Sequence, residues 1–254
     1  MIPVSLRLIR INNRLYKHCS RLLWRVYGKD SPVVLMVHGF KATPANSFEL
    51  TPASFEQLMR HLCRNSWHAM TLDELINENW STKSFYLTFD DVYDTVYIGA
   101  YPLLKALQIP FTLFITKDLV DKPGYITLEH LQAIAKDPLC RIGGHGMQHT
   151  VFRNLSSDDA LRQFEEGRLW LEDQLGVPVK TFAFPYGRIV EVSCRNRHQI
   201  KKSRYLMAFS ALEGTLRAKW LTGRYFLPRV NVSERFVEKF IAGKFPSYKD
   251  CEGR

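Results

Sequence analysis

The sequence predicts an α/β domain in which about seven parallel strands alternate with helices and close into a (β/α) barrel. Short apolar runs, typical of strands buried on both faces, recur along the chain. Segments with helix caps or helical spacing separate them. This alternation favours a parallel sheet with crossover helices, and closure is expected for a domain of this length. We divide the chain into a basic helix at residues 1–30 and a barrel domain at residues 31–254.

The predicted strands are short, mostly apolar runs that end near glycine, proline or a polar residue. They are residues 33–37, 85–88, 111–115, 140–143, 179–184, 205–209 and 226–230.

Capping residues mark the predicted helices. Thr51 followed by proline begins a helix that extends to about residue 63, and Thr71 with Glu74 forms a capping box for a shorter helix. Further helices are predicted at residues 94–107, 127–136, 156–175, 191–203 and 233–242. Pro102 should kink or interrupt the helix at 94–107, and Gly176 should end the helix at 156–175.

The N-terminal segment carries most of the net charge of +10. Residues 1–30 hold seven Lys or Arg against Asp30 alone, and residues 3–27 alternate basic and apolar positions at helical spacing. Charges interrupt every apolar stretch, which argues against a signal peptide or a membrane-spanning helix. The helix either covers the lower face of the barrel or lies in an anionic membrane surface.

Composition also narrows the partners and the compartment. Five scattered cysteines without a C-x-x-C pair favour reduced thiols. The rest of the chain is only mildly basic, so we expect no nucleic-acid partner. These features predict a cytoplasmic protein, peripheral on the inner membrane face if residues 3–27 bind lipid.

Chemically capable side chains follow the predicted strands. The carboxyl ends of barrel strands share one rim, where active sites are built. Residues at this rim are His38, Asp90, Asp91, His145, His149 and Tyr186. Adjacent carboxylates at the end of a buried strand carry a large desolvation cost unless they are paired or bind a metal. A strand followed by an Asp-capped helix would explain the carboxylates but not the histidines.

The spacing of the two histidines indicates a metal site. His145 and His149 are four residues apart, so both imidazoles can face one point, and Asp91 would complete the set. Three protein ligands leave a position for water, as a catalytic zinc requires. We expect one divalent metal, zinc first, although iron, cobalt and nickel accept the same ligands. Asp90 beside it would act as general base.

Three motifs resemble those of the polysaccharide deacetylases of the NodB-homology type, carbohydrate esterase family 4. They are Thr88-Phe89-Asp90-Asp91, the H-x-x-x-H of His145 to His149, and Phe184-Pro185-Tyr186-Gly187. The resemblance covers residues 33–232 and implies a distorted (β/α) barrel that removes N- or O-acetyl groups from a glycan with a metal. It implies Asp90 as base, Asp91 and the two histidines as metal ligands, and the Tyr186 N–H as an oxyanion donor.

Three positions depart from the motifs of that family. Gly146 stands where Ser or Thr usually follows the first histidine, so a hydrogen-bond anchor is lost there. Val92 replaces a glycine, and Ala183 replaces an arginine. Arg229 or Arg188 would then have to supply the positive charge beside the base.

The source of the catalytic acid differs as well. The late L-x-H motif of the family is absent, since no histidine follows His198. The segment that ends at His38 resembles the early histidine strand of the exopolysaccharide poly-N-acetylglucosamine deacetylase branch. This resemblance implies His38 as general acid, and a core or loop histidine is the alternative.

Two other functions fit part of the pattern. A deacylase of a small amide or a lipid-linked sugar precursor would use the same metal site, and the basic N-terminal helix favours the lipid-linked substrate. A non-catalytic glycan-binding member of the fold is suggested by Gly146 and Ala183. Binding alone needs no base beside a metal, so the complete set of acidic and histidine residues favours the enzyme.

Overall fold

The computed structural model describes residues 15, 16, 18, 19 and 30–244. Most of the predicted helix at 3–27 therefore lies outside the described residues, and its membrane contact stays a prediction. Its four described residues are helical. Among them, Tyr16 is buried and its hydroxyl donates to the carbonyl of Glu213 at 3.3 Å.

Seven parallel strands close into a barrel, which confirms the predicted fold class. The described strands are β1 (Val33–Val37), β2 (Gly39–Phe40), β3 (Glu49–Leu50), β4 (His68–Ala69), β5 (Ser84–Asp90), β6 (Phe111–Ile115), β7 (Cys140–Gly144), β8 (Thr181–Ala183), β9 (Met207–Glu213) and β10 (Leu227–Asn231). The ring runs β1-β10-β9-β8-β7-β6-β5, and β5 pairs with β1 to close it, in register from Val33↔Phe85 to Val37↔Phe89.

Three strands of two residues each were not predicted. β2 and β3 form a small parallel sheet, and β4 pairs with the start of β5. Two residues are too few to show the alternation that identifies a strand in a sequence.

Helices surround the barrel, and all but the short one at Lys219–Thr222 lie where the sequence predicted them. They are α1 (Pro52–Arg64), α2 (Leu72–Ile76), α3 (Tyr101–Leu107), α4 (Leu128–Ala135), α5 (Ser157–Leu175), α6 (Cys194–Gln199), α7 (Lys219–Thr222) and α8 (Glu234–Ile241). The capping box of Thr71 with Glu74 is present, and Ser156 caps α5 by accepting a hydrogen bond from Asp159 N. Gly176 ends α5 at φ 65°, a left-handed conformation.

Two helix predictions need adjustment. The helix predicted at 94–107 is continuous over those residues, but its middle is a π-helical turn, Val96–Ala100, that leads directly into α3. Pro102 lies two residues after Ala100, inside this helical stretch. Since its nitrogen carries no hydrogen to donate to a preceding helical carbonyl, the change of helix type falls where the proline was expected to disturb the helix. The helix predicted at 191–203 begins only at Cys194, because Ser193 caps it through Asn196 N.

The barrel interior is a packed apolar core that gives way to polar residues at the carboxyl ends of the strands. Val34, Tyr86, Phe114, Phe209 and Leu227 are among the residues that fill it. A second, larger cluster lies between the strands and the helices. Apolar side chains therefore fill the interior of the barrel, and polar side chains lie at the rim formed by the carboxyl ends of the strands.

Among the described residues, no helix combines the length and the apolar character that crossing a bilayer requires.

Candidate active site

A cleft of about 960 Å³ opens at the carboxyl ends of the barrel strands. All six rim residues expected from the sequence line it, namely His38, Asp90, Asp91, His145, His149 and Tyr186. The parallel strands explain this convergence, since all of them end on one rim.

The end of β5 directs its two carboxylates to different partners. Asp90 is the last residue of the strand and is almost fully buried. Asp91 follows at φ 59° and Val92 at φ 31°, both in the left-handed region. Glycine adopts such angles without steric cost and a β-branched residue does not, so the structure explains why a glycine is usual at position 92.

Asp91, His145 and His149 come together. Each offers one ligand atom, and these atoms lie within 4.8 Å of one another. The Nε2 atoms of His145 and His149 lie 3.6 and 3.2 Å from Asp91 Oδ1. Two segments that are more than fifty residues apart in the chain therefore meet at one point.

A backbone carbonyl determines the tautomer of His145. Its Nδ1 lies 2.7 Å from the Ala183 carbonyl oxygen, to which only an N–H can donate. The Nε2 lone pair is then left facing Asp91. Burial lowers the pKa of His145 below its ordinary value, which favours the neutral form that binds metals.

The loop that carries the two histidines is held by a residue that the sequence analysis missed. The side-chain oxygen of Gln163, on α5, accepts hydrogen bonds from Met147 N at 2.8 Å and Gln148 N at 3.1 Å. Gly146 has φ 87°, and an added Cβ would lie 3.1 Å from that same oxygen. The hydrogen-bond anchor that the sequence lacks at Gly146 is therefore supplied by Gln163, a residue outside the motif.

These residues fit a divalent metal ion. Asp91 Oδ1 is buried and accepts no hydrogen bond from the described residues. A buried carboxylate oxygen without a partner is costly, and a cation between it and the two imidazoles would remove that cost. Two imidazoles and a carboxylate match the ligand set of catalytic zinc and related transition metals.

Arg229 provides the positive charge beside Asp90, for which the sequence offered Arg229 and Arg188. Its Nη1 and Nη2 donate to the two carboxylate oxygens of Asp90 at 2.7 and 2.6 Å, a bidentate pair that is shielded from solvent. Arg188 instead pairs with Glu191. Burial, the largest single influence, would raise the pKa of Asp90. The charge and hydrogen bonds of Arg229, together with the nearby imidazoles of His145 and His38, outweigh it, and the pKa falls to about 2.

His38 lies at the end of β1, in the wall of the cleft. Its Nδ1 is buried without a hydrogen-bond partner among the described residues, and its ring packs edge-on against Phe48 at 4.8 Å. Burial lowers the pKa of His38, while the charges of Asp90 and Asp91 act in the opposite direction. The two carboxylates are therefore close enough to act on this imidazole.

Tyr186 lies on the opposite wall, with its side chain half exposed. Its φ is 59°, and its ring packs edge-on against His149 at 4.5 Å. The segment is fixed by a hydrogen bond from Ala211 N to the Gly187 carbonyl at 3.0 Å. The backbone around Tyr186 is thus held next to the histidine pair.

We predict that Arg229→Met leaves Asp90 as a buried carboxylate without its counter-charge. The free energy of unfolding should fall by about 3–5 kcal/mol, the usual cost of breaking a buried pair from one side. Urea denaturation followed by circular dichroism measures this. Adding Asp90→Asn should recover most of the loss, and equal stability of the single and double variants would contradict the explanation.

We also predict that Gln163→Leu weakens zinc binding by about 10–100-fold, the usual effect of losing a group that orients metal ligands. Leucine cannot accept the Met147 and Gln148 N–H groups, so the histidine loop loses its support. Gln163→Glu keeps an acceptor oxygen and serves as the matched control. Zinc affinity is measured by titrating the metal-free proteins in competition with a chromophoric chelator. A leucine variant with wild-type zinc affinity would refute the role of Gln163.

The barrel is similar to those of several solved deacetylases. A Streptococcus pyogenes deacetylase, PplD, solved in complex with acetate, superposes with a TM-score of 0.75 at 20% identity over 85% of this chain and 99% of that one. IcaB from Ammonifex degensii gives a TM-score of 0.71 at 22% identity over 86% of this chain and 98% of that one. At these identities the likeness shows a shared fold.

Sequence comparison adds the family. The poly-β-1,6-N-acetyl-D-glucosamine N-deacetylase of Staphylococcus aureus is 24% identical over 212 residues, which cover 77% of this chain and 71% of the relative. Residues 77–203, half of the chain, match the family model described as polysaccharide deacetylase. The match spans the Asp-Asp, histidine and Pro-Tyr motifs, and the chain belongs to the polysaccharide deacetylase family of hydrolases.

Proposed function

We propose that this protein removes N-acetyl groups from a glycan built of N-acetylglucosamine units, using one divalent metal ion, preferably zinc. One observation carries the proposal: the Asp91, His145 and His149 ligand atoms converge within 4.8 Å of one another beside an ion-paired Asp90. A metal site next to an ionised carboxylate in an open cleft provides what metal-assisted hydrolysis of an amide requires.

The metal would be held by Asp91, His145 and His149. When bound, such an ion lowers the pKa of a coordinated water and polarises the carbonyl of the substrate. The protein prepares for it by directing three ligand atoms at one point and by fixing the His145 tautomer through the Ala183 carbonyl.

Asp90 is proposed to accept the proton of the attacking water. Arg229 keeps the carboxylate ionised and oriented, with a pKa of about 2. A base is most effective when its pKa lies near the working pH, so the strong pair lowers the intrinsic basicity of Asp90. What the pair provides in return is a fixed position beside the metal ligands.

His38 is proposed to protonate the leaving amine. Of the described histidines that line the cleft, His38 is the one that does not belong to the proposed metal ligands. An imidazole whose pKa is lowered by burial is a stronger acid once it carries its proton, and the nearby carboxylates favour that protonated form.

The backbone N–H of Tyr186 is proposed to donate to the oxyanion that forms at the attacked carbonyl. A donor of this kind contributes only if it is held in place before the reaction. The left-handed turn at Tyr186 and the bond from Ala211 N to the Gly187 carbonyl restrict its movement.

The substrate class follows from the relatives and the cleft. The S. aureus relative is named for poly-β-1,6-N-acetyl-D-glucosamine, and the S. pyogenes deacetylase was solved with acetate. The cleft of about 960 Å³ lies at the upper end of the usual range for ligand pockets. It would accommodate a sugar unit together with part of its neighbours.

We predict that the zinc-loaded protein releases acetate from β-1,6-linked N-acetylglucosamine oligomers. Removal of the metal with a chelator should abolish release, and added zinc should restore it. Small N-acetyl amides and O-acetylated glycans serve as comparison substrates, with acetate measured by a coupled assay. Release from a small amide alone would favour the small-amide alternative. No release from any substrate by a protein that binds zinc would favour a glycan-binding role.

We predict further that His38→Ala lowers kcat by about 10² or more, as loss of a general acid does. Zinc content should stay at the wild-type level, because His38 is outside the ligand set. His198→Ala, which removes a histidine that is not among the described residues lining the cleft, is the control. A parallel loss of turnover and of bound zinc would contradict the assignment.

A further inference from the structure

Arg153 makes three hydrogen bonds to consecutive backbone carbonyls of another segment. Its backbone N–H donates to the Glu191 carbonyl at 2.7 Å, and its Nη2 donates to the Ile189 carbonyl at 2.9 Å. Its Nε donates to the carbonyl between them, that of Val190. Arg153 itself lies four residues after His149, the last histidine of the proposed metal set.

The residue before Arg153 packs against the same second segment and against α5. Phe152 is fully buried, and its ring lies 5.4 Å from that of Phe184 and 5.1 Å from that of Phe164. Phe152 and Arg153 therefore attach one segment to the other on two sides, through apolar packing inside and hydrogen bonds outside.

The segment that Arg153 holds needs such support. Residues 184–193 contain no helix or strand, so their carbonyl groups depend on isolated hydrogen bonds rather than on a regular ladder. Tyr186 and Val190 of this segment line the cleft. We call residues 184–193 the Tyr186 segment.

We propose that Arg153 is a positioning residue, which holds the Tyr186 segment at a fixed distance from the His145–His149 loop. The inference rests on the proposed function, in which the Tyr186 N–H donates to the oxyanion. An error of about 1 Å in the placement of such a group can cost about 10² in rate.

The guanidinium suits this task better than other side chains. It presents several N–H donors in one rigid plane, which can reach successive carbonyls without losing much side-chain freedom. Lysine carries a flexible point charge instead, and it can satisfy one carbonyl while leaving the other free. The backbone bond from Arg153 N to Glu191 remains in any variant, so the side chain can be tested without releasing the whole segment.

The test compares Arg153→Ala and Arg153→Lys with Arg195→Ala. Arg195 is the matched control, because its Nη2 also donates to a backbone carbonyl, that of Leu155 at 2.8 Å. We expect kcat on N-acetylglucosamine oligomers to fall about 10–100-fold in Arg153→Ala, with KM and zinc affinity each within about 3-fold of wild type. Arg153→Lys should regain part of the loss, as should guanidinium ion added to Arg153→Ala at low concentration. Arg195→Ala should keep the wild-type kcat.

A second readout does not depend on turnover. Amide hydrogen exchange of a peptide covering residues 184–193, followed by mass spectrometry, should be faster in zinc-loaded Arg153→Ala than in wild type or Arg195→Ala. Unchanged exchange, unchanged kcat, or a loss of zinc affinity in proportion to kcat would each overturn the inference. If the wild-type protein is inactive, the proposed function is overturned, and with it the proposed effect of Arg153 on kcat. The exchange rates would still show whether the Arg153 side chain holds the Tyr186 segment in place.

Discussion

The buried ion pair of Asp90 and Arg229 is the constraint on which the rest of the site depends. It joins β5 to β10, two strands that lie on either side of β1 in the closed ring. Two charges removed from water are costly unless their hydrogen-bonding groups are satisfied. Here Arg229 Nε also donates to the Ser210 carbonyl at 2.8 Å, and Nη1 reaches the Thr88 hydroxyl at 3.3 Å. The pair thus marks the level at which the apolar interior of the barrel ends and its polar rim begins.

The direction of Asp90 determines that of Asp91. Because Asp90 is directed at Arg229, the chain has to turn at once to place the next carboxylate between the two histidines. It does so through left-handed angles at Asp91 and Val92, at a cost of the order of 1–3 kcal/mol for each such residue. Burial of Val92, and the hydrogen bond from Ile126 N to its carbonyl at 3.0 Å, help to hold the turn.

Most of the fold could be predicted from the sequence, because strand periodicity and helix caps are local signals. The convergence of the rim residues followed from a rule about parallel strands rather than from any contact. Gln163 and Arg153 could not have been found in this way. Both act on backbone groups distant in the chain, and neither lies in a motif, so only the packing of α5 and of the loop after His149 reveals them. The choice of Arg229 over Arg188 likewise depended on which guanidinium faces the barrel interior.

The position of Arg229 also bears on the interpretation of Ala183. Taken from the sequence alone, an alanine where an arginine is usual favours a domain that binds glycans without catalysis. In the structure the charge beside Asp90 comes from β10 instead, and the Ala183 carbonyl orients His145. The proposed base and the proposed metal ligand therefore have separate supports. Asp90 is held by an arginine side chain, and His145 by a backbone carbonyl that no side-chain substitution removes directly. Since both supports are present, the absent arginine is no evidence against hydrolysis. In chains that lack this motif residue, a buried arginine on a neighbouring strand should be sought before catalysis is ruled out.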